Sequence, residues 1–259
     1  MATLTERSDL INPPSAGAVQ DDEKVMTLVE HLAELRRRII ISLVAVGLGA
    51  VVGFILAPDV IRILKAPISG PLYFTGPGAA LFLQVKIAIF IGLVLASPVV
   101  FYELWAFISP GLTPQERRAF RPWIPMAVVF TVLGVGVAYA ILPVAASFLL
   151  SFQIPGVIEP LITADAYFGL VTTMFVTFGL VMQFPFVLLL LARVGIIDSQ
   201  RLRHARRYVL LGMFVFAVAV VPSGDPFSPT AMTVVAYPLY EFTIWMVSRY
   251  ERSKAAASR

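Results

Sequence analysis

Residues 31–56 read HLAELRRRIIISLVAVGLGAVVGFIL: three adjacent arginines, Arg36 to Arg38, run directly into eighteen residues without a charge. An uncharged apolar run of this length is a candidate membrane-spanning helix. The arginines at one end resist translocation and hold that end on the side where the chain is made.

Five further stretches repeat the pattern, giving expected spans at about 39–56, 83–108, 123–150, 164–192, 208–221 and 230–247. Lys and Arg fall into alternate gaps. The N-terminal region, the gap after the second stretch, the gap after the fourth and the C-terminal tail together hold 17 of the 20 basic residues, leaving only Arg62, Lys65 and Lys86 elsewhere. Short basic loops stay on the cytoplasmic side, so the expected fold is an all-α polytopic membrane protein with six transmembrane helices and both termini cytoplasmic. Composition agrees: 58% hydrophobic and 14% charged residues is far from a soluble domain, with about 25% charged residues. The net charge of +4 is explained by attraction to anionic lipid, so no nucleic-acid partner is inferred. There is no cysteine, which removes disulfides, thiolate chemistry and Cys-ligated metal.

Residues 1–25, with Asn12-Pro13-Pro14-Ser15 and mixed charges, read as a disordered polar arm. Residues 26–250 form the membrane domain and 251–259 a cytoplasmic tail. Thr27-Leu28-Val29-Glu30 fits a capping box. A helix from there to about Leu56 is roughly 45 Å long against a hydrocarbon core of about 30 Å, so its first turns, with His31, Glu34 and Arg36 to Arg38, stand in the interface. Pro98, Pro125, Pro143 and Pro185 interrupt the middle spans. The last two stretches are short, roughly 21 and 27 Å at helical rise. Such a pair thins the bilayer or draws its outer connection, Pro222 to Pro229, inward; alternatively, Arg206 and Arg207 snorkel and the fifth helix is longer. Small residues at four-residue spacing, namely Ala45, Gly49 and Gly53, Gly92 and Ala96, and Gly134 and Ala138, suit close helix contact in lipid. Gly47-Leu48-Gly49 lies inside an apolar helix with no preceding strand, so packing explains it better than nucleotide binding.

Enzymatic machinery is not visible. The two histidines, His31 and His204, fit no metal-binding spacing, and no serine elbow or phosphate loop occurs. No metal site and no cofactor are expected. What remains is polar groups in or near the spans. Glu34 precedes Arg38 by one turn, so an ion pair worth about 0.3–0.5 kcal/mol is its modest explanation. Glu116 closes a second capping box, Thr113-Pro114-Gln115-Glu116. A carboxylate at each of two cytoplasmic helix ends also suits a cationic ligand. Within the spans, Lys86, Glu103, Gln183 and Glu241 are costly in lipid and are functional candidates by default. Gln183 is the deepest along its helix and is expected to face protein or water. A small-solute secondary transporter would also use intramembrane polar groups, but it calls for midplane charges and often repeated architecture, of which the chain has little.

Together these segments resemble the TatC family of the twin-arginine protein translocase. The resemblance rests on His31-Leu32-Ala33-Glu34-Leu35-Arg36-Arg37-Arg38, Ala66-Pro67, Trp105-Ala106-Phe107-Ile108-Ser109-Pro110-Gly111-Leu112 with Glu116-Arg117-Arg118, Phe184-Pro185 after Gln183, and Arg206-Arg207-Tyr208 through Pro222 and Asp225. It implies a receptor for signal peptides bearing two adjacent arginines in the plasma membrane of a prokaryote. TatA- and TatB-type single-span partners, an oligomeric receptor complex and export of folded proteins energised by the proton motive force are implied with it. On the same ground, Glu34 and Glu116 contact the arginine pair, Arg36 supports them and Phe107 lies close by. Gln183, Glu103 and Glu241 are intramembrane partner contacts, and Pro67 and Asp225 support the fold. Relatives commonly carry glutamate where this chain has Gln183; an amide can hydrogen-bond but cannot hold a mobile proton.

Overall fold

The computed structural model describes residues 28–68, 70–111, 117–118, 122–154, 161–193, 195–221 and 224–257. Among these the chain is helical: α1 (Leu28–Lys65), α2 (Ala79–Ile108), α3 (Trp123–Leu150), α4 (Ala164–Val181), α5 (Phe184–Arg193), α6 (Ser199–Val220) and α7 (Phe227–Ala257), with a 3-10 turn at Ser109–Gly111 closing α2. The capping boxes at Thr27 and Thr113, Pro222 and the terminal arm lie outside the described residues.

Four units are long and apolar enough to cross a bilayer: α1, α2 with its 3-10 turn, α3, and α4 with α5 taken together. The helices exceed the apolar stretches that announce them. α1 runs past Leu56, through Pro58, to Lys65, and Arg62 pairs there with Asp59 at 3.0 Å. Its 38 residues give about 57 Å of helix. The fourth span, expected to be interrupted at Pro185, is two separate helices. Pro185 has no N–H for the carbonyl of Val181 and its ring crowds that carbonyl, so the ladder shortens to Gln183 N–H onto Leu180 O (3.0 Å) and restarts with Phe186 N–H onto Gln183 O (3.0 Å). α5 closes with the N–H of Ile196 on Leu191 O (3.0 Å) and that of Gly195 on Ala192 O (3.2 Å). Gly195 takes φ 82°, a glycine-favouring cap that turns the chain into α6.

α6 and α7 fall outside the long apolar class. α6 starts at Ser199, so Arg201 to Arg207 continue the fifth apolar stretch as helix, as in the longer-helix alternative. At 22 residues it is about 33 Å long. α6 and α7 form a hairpin held by Tyr240 Oη donating to Leu202 O (2.6 Å) and by the Arg206–Glu241 ion pair (2.7 Å). Glu251 of α7 accepts from the backbone N–H (2.8 Å) and hydroxyl of Ser199, capping α6 from a neighbouring helix.

α1 lies at the periphery. Only 6% of its most apolar window is buried, against 61% for α4–α5. Its contact with α2 depends on small residues: a Cβ on Gly49 would stand 2.7 Å from the carbonyl oxygen of Gly92, and one on Gly92 2.5 Å from the backbone nitrogen of Ala50. Gly134 of α3 meets α4 in the same way, 2.7 Å from Phe178 O. The four-residue spacing therefore marks two close helix contacts. The main apolar core joins Leu83, Ile87, Leu142, Phe168, Met174 and Phe178.

At the end of the bundle away from the arginine run, Tyr73 pairs with the chain before α4, donating to Ile162 O (3.0 Å) and accepting from Ala164 N (2.8 Å). Lys86 meets Asp165 at 2.7 Å. Buried Tyr167 donates its hydroxyl to Leu64 O at 2.6 Å, satisfying a carbonyl in the last turn of α1. Tyr167→Phe leaves that carbonyl without its donor, costing about 1–3 kcal/mol. A thermal melt of the purified variant is expected to show the loss as a lower midpoint.

Candidate functional site

Where α1 and α2 meet at the arginine-rich end, three charged side chains converge. Arg38 Nη1 donates to Glu103 Oε2 at 2.8 Å, and Arg38 Nη2 donates to Glu34 Oε1 at 3.0 Å. The side chains of Arg38, Glu34 and Glu103 are 26%, 17% and 9% exposed. Glu34 is placed by the helical four-residue spacing, which stacks it one turn from Arg38, and Glu103 by the antiparallel crossing of α2. One turn further along α2, Phe107 stacks on His31, with ring centroids 4.3 Å apart and planes at 13°. Glu34 Oε2 is buried and has no hydrogen-bond partner among the described residues.

Glu34 and Arg38 border an open cleft of about 540 Å³, lined with them by Tyr102, Trp105, Ala106, Ser109, Pro110, Arg117, Arg118 and Ile124. Arg117 donates to Ser109 Oγ at 2.8 Å across its rim. The cleft sets the Glu34 carboxylate beside the guanidinium groups of Arg38, Arg117 and Arg118, with Tyr102, Trp105 and Ile124 as its apolar and aromatic lining.

Of the expected site residues, the structure brings Glu34 and Phe107 together with Glu103, which the sequence reading placed among the intramembrane contacts. Glu116 lies outside the described residues; its neighbours Arg117 and Arg118 line the cleft. Arg36 is exposed, two positions from Glu34, and residues at that spacing do not share a helix face. His31, Trp105, Ser109 and Arg117 were not singled out for this site. Their signal lay in the arginine-bearing and Trp105–Gly111 segments, whose mutual placement only the folded helices supply.

The remaining candidates stand elsewhere. Gln183 sits at the α4–α5 break, its Nε2 donating to Ala127 O (2.9 Å) and Thr131 Oγ1 (2.7 Å) of α3, while Oε1 is buried with no partner among the described residues. It borders two apolar cavities of about 460 and 190 Å³, so it faces protein and cavity. Glu241 is engaged by Arg206 and by Tyr237 Oη (3.1 Å). Asp225 is buried and closes the first turn of α7, accepting from Ser228 N (2.6 Å) and Ser228 Oγ (2.9 Å). Pro67 is half-buried in the turn after α1.

An all-α bundle with four units long and apolar enough to cross a bilayer, and a cleft of mixed charge at its arginine-rich end, defines a polytopic membrane protein. The family described as "Sec-independent protein translocase protein (TatC)" matches residues 30–238. A TatC protein of Carboxydothermus hydrogenoformans is 34% identical over 229 residues, covering 87% of this chain and 94% of its own length. One from Aquifex aeolicus is 36% identical, covering 88% and 98%, and a chloroplastic protein of Oryza sativa is 37% identical, covering 93% and 68%. Among solved structures, the crystal structure of the twin-arginine translocase receptor TatC in DDM is similar with a TM-score of 0.72 at 34% identity, over 84% of this chain and 99% of that one. The chain belongs to the TatC family of Sec-independent protein translocase proteins. It is a membrane-embedded component of protein transport.

Proposed function

We propose that this chain is the signal-peptide receptor and core subunit of a twin-arginine translocase, reading adjacent arginines with the carboxylates of Glu34 and Glu116. The observation that carries the reading is the Glu34–Arg38–Glu103 arrangement: the cleft already holds one guanidinium between two carboxylates. Guanidinium presents a planar fork of donors that an ammonium cannot reproduce, so a site of this kind prefers arginine to lysine. Phe107, stacked on His31, supplies an aromatic wall beside it. Arg36, exposed on another face of α1, suits contact with the peptide's flanks or with lipid headgroups.

In this reading the arginine-rich end faces the cytoplasm of a prokaryotic cell and the plasma membrane holds the six-span domain of residues 26–250. Folded cargo crosses with TatA- and TatB-type single-span subunits, driven by the proton motive force, and the receptor works as an oligomer. Gln183, with a free carbonyl oxygen beside two apolar cavities, suits a partner helix that brings a hydrogen-bond donor. Glu103 belongs with the recognition cleft, whereas Glu241, Asp225 and Pro67 hold the helices in place.

Photo-crosslinkers placed singly at residues 31–38 and 105–118 test the reading. An Arg-Arg precursor is expected to crosslink at the positions facing the cleft and its Lys-Lys version only weakly. Equal labelling by both precursors, or labelling confined to the opposite end of the bundle, removes the recognition site.

A further inference from the structure

Arg38 occupies the place that a ligand arginine would take. Its two terminal nitrogens each reach a carboxylate, Glu103 Oε2 at 2.8 Å and Glu34 Oε1 at 3.0 Å, and the side chain is only 26% exposed. Glu103 is among the most enclosed charges of the described chain, at 7% exposure, and a charge so placed needs a partner. The cleft therefore cannot stand with both carboxylates bare; it keeps a guanidinium of its own. Glu34 has one oxygen engaged by Arg38 and the other, Oε2, buried without a partner among the described residues.

We propose that Arg38 is a specificity-determining internal surrogate, which holds Glu34 and Glu103 until an incoming signal-peptide arginine exchanges with it. This rests on the receptor reading above and adds to it both Glu103 and the competitor. The first ligand arginine engages the unpartnered Oε2 of Glu34, which becomes accessible as the Glu34 side chain turns toward the cleft it lines. The second gains a full set of bonds only by displacing Arg38 from a carboxylate, and the displaced guanidinium moves toward the cleft mouth, where solvent takes over its hydration. A ligand ammonium fails at this step because it exchanges a forked, two-carboxylate contact for a point contact. Discrimination against lysine thus arises from what must be displaced as well as from what is formed.

The consequence is a measurable cost on affinity. If the carboxylates are free of Arg38 about a tenth of the time, its removal raises apparent affinity about tenfold. The experiment measures anisotropy of a fluorescent Arg-Arg signal peptide and its Lys-Lys version on the full chain in lipid nanodiscs, for wild type, Arg38→Gln, Arg38→Lys and the double variant Arg38→Gln/Glu103→Gln. Arg38→Gln is expected to bind the Arg-Arg peptide about tenfold more tightly and to bind the Lys-Lys peptide more tightly as well, narrowing the preference. Arg38→Lys, which keeps the charge but reaches one carboxylate at a time, is expected to fall between it and wild type and serves even if the glutamine variant folds poorly. The double variant is expected to lose the gain, since Glu103 is then unable to receive the guanidinium. A wild type that prefers Arg-Arg while neither single variant binds more tightly overturns the surrogate role and leaves the receptor reading standing. A wild type that binds both peptides alike overturns the receptor reading and this inference with it.

Discussion

Replacing Glu34 with alanine is expected to lower affinity for an Arg-Arg signal peptide by about ten- to a hundredfold while moving the thermal midpoint little. The two effects have different sizes because Glu34 has two kinds of partner. Within the resting chain its bond is to Arg38, four residues on, and an ion pair of that spacing contributes only about 0.3–0.5 kcal/mol. Arg38 keeps its bond to Glu103 after the substitution, so no buried charge is stranded. Toward a ligand, Glu34 offers a buried oxygen with no partner among the described residues, and a charge-assisted bond there is worth about 1.5–3 kcal/mol, where 1.4 kcal/mol is tenfold. Affinity by anisotropy and stability by thermal melt, on one preparation, separate the two. A Glu34→Ala protein that melts as wild type and binds Arg-Arg peptide as wild type would show that the cleft does not read the ligand through this carboxylate.

Much of this fold was legible before any coordinates. The apolar stretches fixed α1 to α3 because a bilayer core demands length and hydropathy together, and the Gly and Ala spacing marked the α1–α2 and α3–α4 contacts because no side chain larger than these fits there. The break at Gln183 was legible as a proline effect, although two helices were not foreseen. α1's run past Pro58 to Lys65 was not legible either, since that end is amphipathic and its carbonyl cap, Tyr167, lies a hundred residues away. The pairing of Glu103 with Arg38 was not legible for a related reason: from its own helix Glu103 is a lone carboxylate near Trp105. The register that corrects this was present in the sequence. Gly49 faces Gly92, and eleven residues back along α1 and eleven forward along α2 lie Arg38 and Glu103, which pair. Eleven residues are close to three helical turns, so the faces that meet at the glycines meet again at the charges.

That shared register makes Gly92→Leu the most damaging single change expected in the recognition half of the protein, although Gly92 lies about 22 Å from Phe107 along the helix axis. A Cβ at residue 92 would stand 2.5 Å from Ala50 N, 2.8 Å from Ala50 Cα and 2.8 Å from Val46 O. All three are backbone atoms of a helix and cannot rotate away. Overpacking costs about 1–3 kcal/mol where neighbours can adjust, and here the only adjustment is to part the helices. Lipid does not oppose parting as water would, because apolar helix faces are equally content against acyl chains, and only 6% of the most apolar window of α1 is buried in the bundle. The expected outcome is that α1 separates from α2 along their whole seam, taking Glu34 and Arg38 from Glu103 and His31 from Phe107. The absence of cysteine makes this directly measurable. A His31→Cys/Phe107→Cys pair, at the positions whose rings stack at 4.3 Å, is expected to form a disulfide in membranes on the otherwise wild-type chain. Adding Gly92→Leu is expected to abolish it, and Gly92→Leu in the chain that keeps His31 and Phe107 is expected to abolish Arg-Arg peptide binding, whereas Gly136→Leu on α3, where a Cβ meets nothing within 4 Å, is expected to leave disulfide and binding intact in the same two backgrounds. A disulfide that forms as readily in the Gly92→Leu chain would mean that the charged cluster holds the helix ends together without the glycine seam.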